Sequence, residues 1–182
     1  QAGFRNTVAP LGTAFTTEQA VILSRYTKEV VVCFDSDEAG EIAIEKAFRT
    51  LAPTGVSVKV LRLPAGKDPD EFLKSNKPSD FEKLVANAIP ETQYKLLKAA
   101  NNINPESAEA KIKYLNNAIE ILAGNRDPIA VDYYLSKLSK DYEISKETLI
   151  AKLTQTKKNH NSAEKKREIK QVVEQRFDRE DI

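Results

Sequence analysis

The 182-residue sequence contains no methionine, no tryptophan, one cysteine and one histidine. A single cysteine, Cys33, excludes an intramolecular disulfide and a zinc site built on several thiolates. The one histidine, His160, lies in a polar stretch typical of a solvated linker, which argues against a histidine-based nucleophilic triad. We therefore expect any chemistry to depend on oxygen ligands.

Long apolar runs are also absent, and no stretch approaches the roughly 20 apolar residues that a membrane span needs. The first five residues lack the basic-then-apolar layout of a signal peptide. The 28 Lys and Arg residues nearly balance the 27 Asp and Glu residues, so charge alone does not predict strong sequence-independent adhesion to DNA. We expect no membrane contact and no secretion. Because there is no initiator methionine, we interpret the chain as an interior piece of a longer protein.

Residues 1–77 carry patterns that alternate between strand and helix. The apolar run at 30–34 is typical of a strand covered on both faces. Apolar residues at helical spacing follow over 42–51, and residues 56–63 read as a second strand. A crossover of this length predicts a parallel strand pair with a right-handed connection. The predicted fold of this part is an α/β parallel sheet with flanking helices.

Residues 78–156 carry only helical patterns and predict an all-helical bundle subdomain. Ser79, Asp127 and Ser145 are its predicted helix N-caps. Residues 157–182 are predicted to form a polar linker and a charged terminal helix with a thin apolar stripe. That helix either leans on something outside this chain or frays as a solvated terminus. The sequence thus predicts three parts: 1–77, 78–156 and 157–182.

Two acidic clusters follow the two predicted parallel strands. Asp35 and Asp37 come directly after the first strand, and Asp68 and Asp70 come shortly after the second. Ligands of open α/β sheets bind beyond the carboxyl ends of the strands. Carboxylates in neighbouring loops suit Mg²⁺ or Mn²⁺, and a divalent cation relieves their mutual repulsion. These four aspartates are therefore the candidate metal ligands.

Helix capping is the competing interpretation of both clusters. Asp37 and Asp68 are each followed by a helical pattern, and aspartate is a favoured N-cap residue. A calcium loop of the EF-hand type is excluded, because Ala39 and Lys46 occupy two of its ligand positions. Neither common type of glycine-rich phosphate loop is present. The metal and capping interpretations both stay open at this point.

Three segments occur in a distinctive order and spacing: LGTAFT at 11–16, VVCFDSDEAG at 31–40 and LPAGKDPDEFL at 63–73. Together they closely resemble the toprim half of the bacterial replicative DNA primases. The Asp-x-Asp pattern alone is shared with topoisomerases, recombination mediators and small nucleases that carry toprim domains. The GKDPD stretch at 66–70 is much more similar to primases. The helical residues 126–138 also resemble the primase polymerase core, and the resemblance weakens after about residue 156.

The resemblance implies a DNA-dependent RNA polymerase, a nucleotidyltransferase that makes short RNA primers for DNA replication in the bacterial cytoplasm. Its implied partners are a single-stranded DNA template and ribonucleoside triphosphates. Asp35 and Asp37 would be catalytic residues that bind Mg²⁺ or Mn²⁺, and Asp68 and Asp70 would complete the metal site. Lys67 is a candidate contact to the triphosphate, with a solvated lysine as the alternative.

The sequence departs from the family pattern in two respects. Ser36 stands where many members have glycine, and the family's metal-site glutamate, which lies on the strand just before this chain, has no match here. The amino-terminal zinc module and the basic half of the polymerase core are likewise expected outside this chain. A replicative helicase is expected to bind through a domain outside it. We therefore expect the isolated chain to have little or no polymerase activity.

Two other functions remain open on the sequence. A toprim-type nuclease or topoisomerase fragment shares the aspartate pattern, but the type IA topoisomerase pattern has an acidic residue where this chain has Ala39. The chain is alternatively a non-catalytic interaction module that engages a partner through its terminal helix.

Overall fold

The structure is a computed structural model that describes residues 3–10, 15–35, 37–64, 68–101, 103–104 and 107–180, with side chains up to residue 163. The chain divides into two compact units, Gln1–Tyr94 and Lys95–Ile182. The boundary lies later than the predicted one at residue 77. Among the described helices, none combines the length and the apolar composition that crossing a bilayer requires.

The first unit is a three-stranded sheet with helices on both faces. Its elements are α1 (Thr17–Tyr26), β1 (Glu29–Val32), α2 (Glu38–Leu51), β2 (Ser57–Val60), α3 (Pro69–Ser75), α4 (Pro78–Ala86) and β3 (Ile89–Pro90). The strand order is β1-β2-β3, and β1 pairs with β2 in parallel. The predicted parallel crossover is therefore confirmed.

The antiparallel strand β3 makes the sheet mixed rather than purely parallel. Val60 of β2 pairs with Ile89, and Lys59 pairs with Pro90. A strand of two residues is too short to show the alternation of apolar and polar residues by which strands are predicted. In the sequence, Pro90 indicates only the end of a helix. A proline is tolerated here because β3 is an edge strand, which does not need every backbone N–H.

The two faces of the sheet are covered by different elements. Val30 and Val32 belong to a core with Phe48 and Leu51 of α2, in which the Phe48 ring lies 5.8 Å from that of Tyr94. Residues on the other face belong to a second cluster; they are Val31, Cys33, Leu61, Leu63 and Phe72 with the apolar side of α4. The alternation of 30–33 between these clusters confirms a strand covered on both faces.

Helix α4 belongs to the sheet rather than to the helical bundle. Phe81 and Leu84 pack against the cluster beneath the sheet, and the Phe81 ring lies 6.1 Å from that of Phe72. The predicted N-cap at Ser79 is wrong, since the helix begins at Pro78 after Lys77, which makes no side-chain cap bond. Proline presets the helical φ at a first position, so the helix starts earlier than the cap pattern predicts.

The second unit consists of helices that share one core. It comprises the second part of α5 (Glu91–Ala100), which spans the boundary, together with α6 (Ala108–Ala123), α7 (Pro128–Tyr142) and α8 (Lys146–Glu180). Its most enclosed residues are Ala118, Ile119, Leu122, Leu135, Leu138 and Leu149. The predicted caps are confirmed: Asp127 accepts from the Ile129 amide at 2.9 Å, and Ser145 Oγ accepts from the Thr148 amide at 3.3 Å.

Helix α8 runs without interruption through the predicted linker. Residues 157–163 are helical, so the linker prediction does not hold for them. The stretch is polar but contains neither glycine nor proline, and polarity alone does not end a helix. His160 is not simply solvated, because its Nε2 lies 2.9 Å from Glu120 Oε2 of α6.

Two isoleucines of the second unit test its core directly. Ile119 is 1% exposed and Ile129 is 80% exposed. We expect Ile119→Ala to lower the free energy of unfolding by about 2–5 kcal/mol, because it leaves a cavity among packed side chains. Ile129→Ala is the matched control and should stay within about 0.5 kcal/mol. Urea denaturation followed by circular dichroism measures both, and equal losses would contradict the assigned core.

The end of α7 gives a second stability test. Glu143 adopts a left-handed conformation with φ 54° and ψ 37°. A side chain is strained there and glycine is not, so we expect Glu143→Gly to raise the free energy of unfolding by about 1 kcal/mol. Glu147→Gly, inside the first turn of α8, should lower it by a similar amount, about 1 kcal/mol. Shifts of the same sign in urea denaturation would contradict the left-handed end.

Candidate functional site

Both acidic clusters follow the carboxyl ends of neighbouring parallel strands. β1 ends at Val32 and β2 at Val60, and these two residues are paired in the register. Just beyond them, the Leu61 amide donates to the Val32 carbonyl at 2.9 Å. The chain therefore leaves both strands at the same edge of the sheet, which is where ligands of open α/β sheets bind.

Asp37 is the N-cap of α2, as the capping interpretation predicted. One of its carboxylate oxygens accepts the Gly40 amide at 2.7 Å, and its carbonyl accepts the Glu41 amide at 3.0 Å. The side chain is nevertheless exposed. Its second carboxylate oxygen is left available for a ligand, so capping and metal binding do not exclude each other at this residue.

Asp35 is exposed and lies three residues beyond the end of β1. Within the described part of the chain, its carboxylate makes no hydrogen bond and no ion pair. The thiol of Cys33 is close enough to be affected by this charge. Burial is the larger cause and the Asp35 carboxylate the smaller one, and together they raise the pKa of Cys33 to about 11. Among the described residues, nothing therefore compensates the negative charge of Asp35 at the edge of the sheet.

The second cluster is engaged locally. Asp68 is the N-cap of α3 and accepts the Glu71 amide at 2.7 Å. Asp70 forms an ion pair with Lys74 one turn later, and this carboxylate raises the pKa of the Lys74 ammonium. Lys67 lies outside the described residues. The cluster thus supplies a helix start and a surface ion pair.

The described residues do not bring three or more His, Cys, Asp or Glu side chains together as a metal site. Asp35 and Asp37 still suit Mg²⁺ by their chemistry, because this ion keeps several waters and binds proteins through one or two carboxylates plus substrate phosphates. An exposed pair, one member uncompensated and the other with a spare oxygen, fits that requirement. A closed protein cage is not needed.

Gly40 belongs to the 31–40 motif but was not predicted to be a site residue, and it lies against both Asp35 and Asp37. A Cβ built on Gly40 would lie 1.9 Å from the carbonyl oxygen of Asp35. The available signal was a glycine inside the first turn of a predicted helix, where glycine is otherwise unfavourable.

Two family models match the chain. Residues 1–73 match a model described as Toprim-like, and residues 92–147 match one described as DnaB-helicase binding domain of primase. The first match ends within α3, and the second covers most of the second unit. A helicase-binding domain was expected outside this chain, whereas a model of that description matches inside it.

Curated relatives and solved structures agree with these models. A DNA primase of Clostridium acetobutylicum is 37% identical over 91% of this chain. A crystal structure of the Aquifex aeolicus primase, with zinc-binding and RNA polymerase domains, covers 82% of this chain at 31% identity and a TM-score of 0.59. A crystal structure of a DNA primase domain from Pseudomonas aeruginosa covers 86% at 28% identity and a TM-score of 0.64.

The chain spans 28% of the length of the Clostridium relative, 35% of the Aquifex chain and 49% of the Pseudomonas chain. The similarity includes the strand, loop and helix that carry Asp35 and Asp37, and it extends through the helical region. The chain belongs to the bacterial DNA primase family, which it matches over a toprim-like domain and the helices that follow.

Proposed function

We propose that this chain is part of a DNA-dependent RNA polymerase that makes short RNA primers for DNA replication. Its substrates are ribonucleoside triphosphates and its template is single-stranded DNA. One observation carries the proposal: the exposed Asp35 and Asp37 carboxylates lie just past the end of β1 in a chain whose relatives are DNA primases. Such an enzyme acts on the chromosome, which places it in the bacterial cytoplasm.

Asp35 and Asp37 are the proposed catalytic residues, and they hold Mg²⁺ or Mn²⁺. When bound, the ion supplies positive charge against the triphosphate and against the negative charge that develops during nucleotidyl transfer. Asp35 offers a carboxylate with no competing partner in the described residues, and Asp37 offers the oxygen that does not cap α2. Asp35 thus binds only the ion, whereas Asp37 binds the ion with one oxygen and caps α2 with the other.

Asp68 and Asp70 are proposed as secondary metal ligands from the neighbouring loop. Their local partners, the Glu71 amide and the Lys74 ammonium, compete with a metal ion for their oxygens. Asp35 ranks first because it has no such partner among the described residues, and Asp37, although it caps a helix as Asp68 does, is the more exposed of the two caps. Lys67 is proposed as a contact to the triphosphate on its position in the motif alone.

A toprim-type nuclease or topoisomerase is the alternative enzyme, and a non-catalytic interaction module is the alternative from another class. Ala39 occupies the position that is acidic in the type IA topoisomerase pattern, and the relatives that cover most of this chain are DNA primases. Both observations favour primer synthesis over DNA cleavage. The uncompensated charge of Asp35 favours a catalytic site over a purely structural role.

A replicative helicase is proposed as a partner of the whole protein. The match of residues 92–147 to a helicase-binding model supports this partner, while the family resemblance places a helicase-binding domain outside the chain. Co-elution of helicase with the 182-residue chain would locate the contact inside it. Co-elution with the whole protein only would locate the contact outside, and co-elution with neither would contradict the partner.

The proposed site is tested by Asp35→Asn in the whole protein that contains this chain. Loss of a metal-binding charge should cost several kcal/mol of transition-state stabilisation, so we expect primer synthesis to fall about 100-fold or more. Asp80→Asn is the matched control, because Asp80 is a surface residue paired with Lys83 at 3.0 Å and lies outside the proposed site. A primer-extension assay with labelled ribonucleotides measures both variants.

Three results would count against the proposed function. Full primer synthesis by Asp35→Asn would remove Asp35 from the catalytic site. An equal loss in Asp80→Asn would show that the assay reports stability rather than chemistry. Metal-dependent DNA cleavage by the unsubstituted protein, without primer synthesis, would favour the nuclease alternative.

A further inference from the structure

Gly40 lies against both Asp35 and Asp37, the two first-ranked metal ligands. It lies in the first turn of α2 and is buried, although its neighbours Ala39 and Glu41 are exposed. Its amide donates to the Asp37 carboxylate at 2.7 Å. Its Cα faces the Asp35 backbone so closely that a Cβ would lie 1.9 Å from the carbonyl oxygen and 2.9 Å from the carbonyl carbon of Asp35.

Helix formation does not explain a glycine at this position. Gly40 lies within a helix, where alanine is favoured over glycine by about 1 kcal/mol. Its conformation does not require a glycine either, since the positive φ values of described glycines are confined to Gly3 and Gly55. The remaining reason is the close approach of the Asp35 carbonyl, which leaves no room for a side chain.

Gly40 contacts the aspartate loop at both of its ends, at the Asp35 backbone and at the Asp37 carboxylate. The Cα of Gly40 sets how closely the Asp35 peptide can approach α2, and the Gly40 amide holds one oxygen of Asp37 in the capping position. The two carboxylates are separated by one residue only. A shift of the Asp35 peptide relative to the cap would therefore change the distance between the two ligands.

We propose that Gly40 is a positioning residue for the Asp35–Asp37 pair: it allows the close packing that sets both carboxylates toward one divalent ion. The proposal rests on the proposed function of these aspartates. A side chain at residue 40 would push the Asp35 carbonyl away from α2, because a heavy-atom separation of 1.9 Å is far inside van der Waals contact. The cap at Asp37 would be retained while the pair lost its geometry.

Gly40→Ala is the test, with Gly124→Ala as the matched control. A Cβ on Gly124, at the end of α6, would meet only the Ile121 carbonyl oxygen, at 3.6 Å, an ordinary contact. Mn²⁺ is titrated into the labelled 182-residue chain, and paramagnetic broadening of the amides at 35–38 is followed by NMR. We expect Gly40→Ala to weaken the Mn²⁺ affinity at these residues about 10- to 100-fold, the usual effect of losing support behind a metal ligand, and Gly124→Ala to leave it unchanged.

The outcomes separate the role of Gly40 from the metal site itself. If the unsubstituted chain shows no broadening at 35–38, the Asp35–Asp37 metal site of this chain fails, and the role of Gly40 fails with it; primer synthesis by the whole protein is judged separately, by Asp35→Asn. If it shows broadening that Gly40→Ala retains at full affinity, only the role of Gly40 is overturned. In metal-free protein, Gly40→Ala should also shift the carbonyl carbon signal of Asp35, and an unchanged signal would contradict the close approach without reference to any metal.

A measurement on the unsubstituted chain covers the case in which Gly40→Ala does not fold. If Gly40 holds Asp37 while the second carboxylate oxygen binds the ion, the Gly40 amide stays hydrogen-bonded when Mg²⁺ is added. Its hydrogen exchange should then be as slow as, or slower than, in metal-free protein. Faster exchange on addition of Mg²⁺ would overturn the proposal.

Discussion

The parallel pairing of β1 with β2 is the constraint on which the site depends. Because Val32 and Val60 are paired, both strands end at one edge, and the acidic loops that follow begin there. The pairing holds because each face of the sheet is covered: α2 packs on one side, and α3 and α4 pack on the other. A slip of one residue in either strand would turn its side chains to the opposite face of the sheet and misalign the two strand ends.

The two aspartates of the first acidic loop have different roles. The orphan amides at the start of α2 need acceptors, and Asp37 supplies one. A divalent ion needs exposed carboxylates, and Asp35 has no competing partner in the part of the chain that the structure describes, because Asp37 provides the cap. In the second loop Asp68 caps α3 as Asp37 caps α2, but Asp70 is paired with Lys74, whereas Asp35 has no partner among the described residues. The local partners of Asp35 and Asp70 therefore decide which of the two is available to an ion.

The sequence patterns predicted the features that depend on local chemistry. The parallel pairing of β1 with β2 and the caps at Asp127 and Ser145 are set by nearby residues, and the structure confirms them. Long-range features were not predictable in this way. Strand β3 exists through pairing with β2, α4 joins the sheet through Phe72 and Phe81, and the approach of Gly40 to Asp35 depends on the loop path. The polar stretch at 157–163 predicts a linker, but polarity alone does not end a helix, and α8 continues through it.

The central claim is that Asp35 and Asp37 hold one divalent ion at the edge of the sheet. It is tested most directly by an anomalous difference map from crystals of the chain soaked in Mn²⁺. The account predicts one manganese peak within about 2.0–2.3 Å of a carboxylate oxygen of each aspartate, close to the Mg²⁺ distance of about 2.1 Å. Manganese bound only at Asp68 and Asp70, or no peak at either loop at saturating Mn²⁺, would contradict it.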